Sequence, residues 1–120
     1  MADNVRRYTI PEVPISINRF IGRDNKWAYY AEKTRWRKLC TVYCRPRPDH
    51  PPEFAHLKIQ FFFPNQRRHD SDNYQKALLD GLVHSGVIYD DDFDHVSVLV
   101  SGGYDKGNPR TEITVTEVER

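Results

Sequence analysis

Residues 69–92 read HDSDNYQKALLDGLVHSGVIYDDD, and the way this stretch divides decides the fold. Side chains alternate along an extended segment, so Asp70 and Asp72 can face the same way. From about Asp72 or Asn73 the pattern turns helical. Tyr74, Ala77, Leu78, Gly81 and Leu82 recur at helical spacing as a core face, and Gly86 is a suitable C-terminal stop. Lys76 lies four residues after Asp72 on the opposite face, beside Leu79 and Val83. That outer apolar pair needs cover, and a subunit interface is one source. Asp70, Ser71 or Asp72 could each serve as an ordinary N-cap. Capping alone does not account for two carboxylates and a lysine on one exposed face, nor for the second acidic run, Asp90-Asp91-Asp92.

Upstream, Tyr8-Thr9-Ile10 is β-prone and predicts a strand to about Glu12, with Pro11 favouring a strand end or sheet edge. Residues 14–26 read as a loop. From Trp27 to Cys44 the pattern is helical, with Tyr29, Trp36, Leu39, Cys40 and Tyr43 on one face and Glu32 the odd member of that seam. The aromatic residues here read as packing. Lys26, Lys33 and Arg37 recur on the adjoining flank, a stripe able to track a phosphate backbone. Arg45-Pro46-Arg47-Pro48 and Pro51-Pro52 end the helix. His56 to Phe63 alternates as a strand whose end, at Phe62, reads as buried on both sides. The basic loop Pro64 to Arg68 leads into the acid pair. Downstream, Val96, Val98 and Val100 mark a third strand, residues 102–109 a turn, and residues 111–118 a fourth strand. Those last two read as a β-hairpin with a long loop. The order β-α-β-α-β-β predicts an α+β two-layer sandwich with both helices on one side of a four-stranded mixed sheet.

A chain of 120 residues is long enough for one core and too short for two, so residues 1–120 read as a single domain. Mean hydropathy is −0.75, and no apolar run is long enough to span a bilayer. The N-terminal residues MADNVRRYTI lack the apolar core of a signal peptide. Cys40 and Cys44 have no partner pair for a zinc site and read as reduced thiols in a cytoplasmic protein with no membrane association. The net charge of +1 hides an asymmetry. Residues 19–47 carry nine Arg and Lys against two acids, whereas residues 87–120 carry eight acids against three Arg and Lys. A basic arm set against an acidic cluster fits a phosphate-binding surface around a metal.

Two carboxylates on one side of a segment suit a hard cation such as Mg²⁺, which takes one or two carboxylates with waters and phosphate. A third carboxylate would complete a site able to hold the metal against a phosphodiester. Neither acidic run is an EF-hand: Gln75 and His95 stand where its glycine belongs. Six residues separate Phe63 from Asp70, too many for a strand-end phosphatase nucleophile. There is no Gly-rich phosphate loop and no G-x-S-x-G. Metal-assisted chemistry on a phosphate remains. The competing reading is a DNA- or RNA-binding module with a structural or solvated acidic loop, against which Lys76 beside Asp72 argues.

The run Asp70-x-Asp72-Asn73-x-x-Lys76-x-x-x-Asp80-x-Leu82, followed by Gly86 and Asp90-Asp91, resembles the RusA family of Holliday junction resolvases. Pro14-x-Ser16-x-Asn18-Arg19-Phe20 is similar to that family's N-terminal signature. The resemblance implies a Mg²⁺-dependent homodimeric endodeoxyribonuclease, with Mn²⁺ as an alternative metal, acting on four-way DNA junctions in recombination and repair. It implies Asp70, Asp72 and Asp91 as metal ligands and Lys76 as the essential lysine, with Asn73, Asp90 and Asp92 as alternates. Arg19, Lys33, Arg37, Arg67 and Arg68 are the expected DNA contacts. A weakened junction binder, or a nuclease with broader flap or fork specificity, stays open beside it. The third ligand carries a geometric condition. A helix from Asn73 to His84 spans ~18 Å, so Asp91 must return by a tight loop, lie along the helix flank, or come from the other subunit.

Overall fold

The computed structural model describes residues 4–16, 26–67, 69 and 74–119. Six elements follow in chain order: β1 (Val5–Ile10), α1 (Lys26–Tyr43), β2 (Ala55–Phe63), α2 (Lys76–Ser85), β3 (Val96–Tyr104) and β4 (Arg110–Glu117). The strands form one mixed sheet in the order β1-β4-β2-β3, with the helices packed on it as the sequence predicts. β4 runs antiparallel to both β1 and β2, and β3 runs parallel to β2. β1 starts at Val5 rather than Tyr8 and stops before Pro11, at the sheet edge that the proline predicts.

The hairpin expected between β3 and β4 does not form. β2 lies between them, and the strand continues through Gly102 and Gly103 to Tyr104 in register with Phe61–Phe63. The reason is α2. A helix between two strands of one sheet makes a crossover and brings the second strand in parallel. Long-range pairing with β2, rather than local turn chemistry, then sets where β3 ends.

β2 alternates as its sequence predicts, with Leu57, Ile59, Phe61 and Phe63 buried. Phe62 is half-buried because the Arg110 guanidinium lies 4.0 Å from its ring centroid. The core beneath the helices joins these residues to Tyr8, Ile10, Ile113 and Val115 from the sheet. Trp36, Cys40, Leu78 and Leu82 meet them from the helices. Cys40 and Cys44 are free, buried thiols.

Along α1 the predicted core face holds at Trp36 and Cys40 but fails at its ends. Tyr43 is exposed, and so are Trp27 and Tyr30, which the packing reading of the aromatics had placed inside. Glu32 is buried although it is charged. Its carboxylate accepts hydrogen bonds from Ile15 N (2.7 Å), Arg35 Nε (2.7 Å) and Nη2 (3.0 Å), and Trp36 Nε1 (3.1 Å). Arg35 continues to Glu12 Oε1 at 2.7 Å. A buried carboxylate persists only when its lone pairs are filled in this way. The network clasps residues 12–15 to α1.

α2 begins at Lys76, later than the Asp72 or Asn73 expected, and Gln75 occupies the N-cap position without a side-chain capping bond. It ends at Gly86, whose φ of 84° is the left-handed conformation a C-terminal glycine supplies. Leu79 and Val83 pack partly buried against the core. They do not form the uncovered outer pair the periodicity predicts, and they give no support to a subunit interface. The helices approach closely at Gly81, where an added Cβ would lie 2.7 Å from Trp36 O and 2.8 Å from Cys40 Sγ. Gly81→Ala should therefore push α1 and α2 apart and destabilise the fold by about 1–3 kcal/mol. A lowered urea midpoint with unchanged slope checks this.

Candidate functional site

The acidic motif follows β2 in the chain, with six residues between Phe63 and Asp70. Asp70, Asp72 and Asn73 lie outside the described residues, as do Arg19 and Arg68. Their neighbours are defined. His69 stacks on Phe63 with ring centroids 3.8 Å apart and planes 4° apart. Tyr74 meets both rings edge-on, 5.0 Å from Phe63 and 5.4 Å from His69. The last side chain of β2 thus holds the residues on both sides of the acid pair, a role for His69 and Tyr74 that spacing alone did not reveal. A cleft of about 460 Å³ opens here, lined by Pro14, Ser16, Asn65, Arg67, His69 and Tyr74 among others. It brings Pro14 and Ser16, the described part of the N-terminal signature, to the same end of the sheet as His69 and Tyr74. Arg67 is exposed on this rim.

Lys76 opens α2 next to this end. Its ammonium lies 5.9 Å from the Tyr29 ring of α1, a cation–π contact that sets the side chain toward that helix. The basic stripe on α1 is partly engaged. Arg37 grips Asp80 with two guanidinium nitrogens, Nε to Oδ2 at 2.8 Å and Nη2 to Oδ1 at 3.2 Å, and Lys33 Nζ stands 3.9 Å from Asp80 Oδ1. Asp80 thereby fixes both cations to α2, and its own carboxyl is held below its ordinary value, first by the Arg37 hydrogen bond.

The second acidic run lies elsewhere. Asp92 shapes its own turn: Oδ1 accepts from Asp94 N and pairs with the His95 ring, and its carbonyl accepts from His95 N and Val96 N. His95 also stacks on Tyr89, and its carbonyl accepts from Ala55 N. The acidic loop therefore sits at the start of β2 and β3. Asp90 Oδ1 accepts from Asp91 N at 2.8 Å. Burial raises the Asp91 carboxyl above its ordinary value, and the hydrogen-bonded, like-charged Asp90 adds to this. Adjacent carboxylates are the kind of oxygen donor that a hard divalent cation such as Mg²⁺ takes. Among the described residues, no three His, Cys, Asp or Glu side chains form a metal cluster.

β2 separates these two regions. Its nine residues hold Ala55 and Phe63 ~26 Å apart, with the His69–Tyr74 flanks at one end and the acidic loop at the other. The loop after α2 does not double back. Val87 and Ile88 enter the core directly after Gly86 and carry the chain onward to β3.

A mixed sheet, a crossover helix that opens on a lysine and a cationic helix alongside define a small α+β domain. The family described as "Endodeoxyribonuclease RusA" matches residues 11–116. The chain belongs to that family. It is similar to the crossover junction endodeoxyribonuclease rusA of Enterobacteria phage HK97, with 32% identity over 124 residues covering 97% of this chain and 98% of the relative. It is also similar to the crossover junction endodeoxyribonuclease RusA of Escherichia coli strain K12, with 36% identity over 66 residues covering 52% of this chain and 51% of the relative. No helix among the described residues is long and apolar enough to cross a membrane.

The Asp80 ion pair makes a pH prediction. A carboxyl whose folded pKa is depressed gives stability that is full above its unfolded pKa and disappears as pH falls through the lower, folded value. Between about pH 5 and pH 2.5 the wild-type urea midpoint should fall more steeply than that of Asp80→Asn. Parallel denaturation curves for the two proteins would contradict it.

Proposed function

We propose that this protein is a Mg²⁺-dependent endodeoxyribonuclease that resolves four-way DNA junctions by paired phosphodiester hydrolysis, as a homodimer of one-domain chains. Family membership supports the chemistry. The observation that carries the site arrangement is the separation of Asp91 from the His69–Tyr74 end by the whole length of β2.

Oxygen ligands of one Mg²⁺ lie within about 4 Å of each other. Asp91 does not meet that condition with the end of β2 in its own chain. The reading is therefore that Asp70 and Asp72 of one subunit and Asp91 of the other hold the metal. Two copies related by a twofold axis then form two such sites, as paired cuts require. Asp90 remains an alternate third ligand. Asp92 is a weaker alternate, since Oδ1 is committed to its turn.

When bound, Mg²⁺ supplies a polarised phosphoryl oxygen and a water of lowered pKa. Lys76 neutralises charge that develops on the phosphoryl group or leaving oxygen. Arg19, Arg67 and Arg68 flank the cleft in sequence and take phosphates of the backbone. Lys33 and the part of Arg37 not held by Asp80 extend that contact along α1. Asn73 serves a structural part within the motif.

With a labelled four-way junction and a matched duplex, paired nicks should appear only in the junction, in Mg²⁺ but not in EDTA. Asp72→Asn should remove them while leaving junction binding nearly intact. Junction binding without cutting in either Mg²⁺ or Mn²⁺ would refute the nuclease. A heterodimer of one Asp72→Asn chain and one Asp91→Asn chain tests the shared site. If the site is shared, one of its two sites carries both lesions and the other none, so single nicks and half the wild-type Mn²⁺ binding return. If each site lies within one chain, neither is intact and nothing returns.

A further inference from the structure

We propose that Trp27 and Tyr30 form a platform on which unpaired nucleotides of the DNA substrate stack. The inference rests on the nuclease reading and extends it to the form of DNA held next to Lys76. Trp27 is 73% exposed and Tyr30 67% exposed, whereas Trp36 on the same helix is fully buried. Trp27 and Tyr30 stand three residues apart on α1, so the two rings are neighbours on one surface. Each carries a lysine. Lys26 Nζ is 5.5 Å from the Trp27 centroid and Lys33 Nζ is 5.9 Å from the Tyr30 centroid. The alternation passes to α2 through Lys76 over Tyr29, so the platform adjoins the first turn of α2.

The chemistry of the patch selects its occupant. Aromatic faces interleaved with ammonium groups match a polyanion whose bases can stack, and base–aromatic stacking tolerates any sequence. In a duplex the base faces are already covered by their neighbours, so only unpaired nucleotides can use the rings. A second copy of this chain would bring the same lysine-bearing patch to both sides of a twofold axis and so add cations without adding acids to pair with them. Asp80, the acid ion-paired to the α1 stripe among the described residues, is already claimed by Arg37 and Lys33. What fits is a strand with unstacked bases, as found at a branch point, a flap or a fork.

The protein carries its own reporter, since Trp27 is exposed and Trp36 is shielded. Full-length protein in EDTA should show tryptophan quenching on binding an oligothymidylate of about ten nucleotides. An abasic oligonucleotide with the same phosphates should give none. Read by fluorescence anisotropy of end-labelled oligonucleotides, Trp27→Ala and Tyr30→Ala should each weaken oligothymidylate binding roughly tenfold, leaving abasic binding unchanged, while Trp27→Phe retains it. Oligothymidylate binding without quenching overturns the proposal. So does equal loss of both ligands in the alanine variants, or a change in their association state. If the junction is still bound and cut in those cases, the nuclease reading stands without the platform. Failure to bind any DNA removes both.

Discussion

Parallel pairing of β2 with β3 is the constraint from which the rest of the molecule follows. A parallel neighbour cannot be reached by a tight turn, so the chain must travel back along the sheet before the next strand begins. α2 makes that return, and its ten residues, Lys76 to Ser85, cover ~15 Å of it. Gly86, Val87, Ile88 and the acidic loop cover the remainder. Everything attached to the end of β2 is thereby separated from everything that precedes β3. His69 and Tyr74, which flank the first acidic run, are joined to the second run by an obligatory crossover, and the placement of these flanks and of the second run at opposite ends is the direct consequence.

Two close contacts then fix the helices over the sheet. At Gly81 the absence of a side chain lets α2 rest against the Trp36 backbone, which brings Asp80 within reach of Arg37 and Lys33 and sets Lys76 against Tyr29. Glu32 works on the other side of α1. Its buried carboxylate gathers Ile15, Arg35 and Trp36, and through Arg35 reaches Glu12. Thr111 Oγ1 donates to the Glu12 carbonyl at 2.7 Å, tying the same segment to β4. Polar bonds of this kind are stronger in a low-dielectric core and costly to leave unmade. They hold Pro14 and Ser16 in the wall of the cleft beside His69. The charge that interrupts the apolar face of α1 is what seats residues 12–15, where the N-terminal signature begins.

Much of the local structure was legible because it depends on neighbours in sequence. The alternation Leu57, Ile59, Phe61, Phe63 gave β2 nearly to its ends, helical periodicity gave α1 within one residue at each end, and Gly86 gave the end of α2. The motif spacing from Asp70 to Asp91 gave the family. Readings failed where a distant partner decides. Gly102 and Gly103 have turn composition yet extend as strand, because β2 supplies their hydrogen bonds. Trp27 and Tyr30 look like core residues, but the ends of α1 overhang the sheet and leave them in water. Leu79 and Val83 look exposed on a helical wheel, but the packed layer reaches around to cover them. Glu32 was recognisable as odd, and Arg35 and Trp36 lie one helical turn from it, but nothing local names Ile15, whose N–H completes its set of donors.

The sequence by itself determined the inventory of chemistry: oxygen ligands suited to a hard cation, one lysine at helical spacing from them, a basic arm, and the alternation of strands and helices that makes an α+β sandwich. These are short-range properties, set by side-chain type and by periods of two and 3.6 residues. The tertiary structure decided which of those parts meet. Strand order and parallel register are set by burial of a shared core, to which residues far apart in the chain contribute together. That is why His69 and Tyr74 are drawn onto Phe63, why Arg37 is answered by Asp80, and why Asp91 stands a full strand's length from the acid pair's flanks.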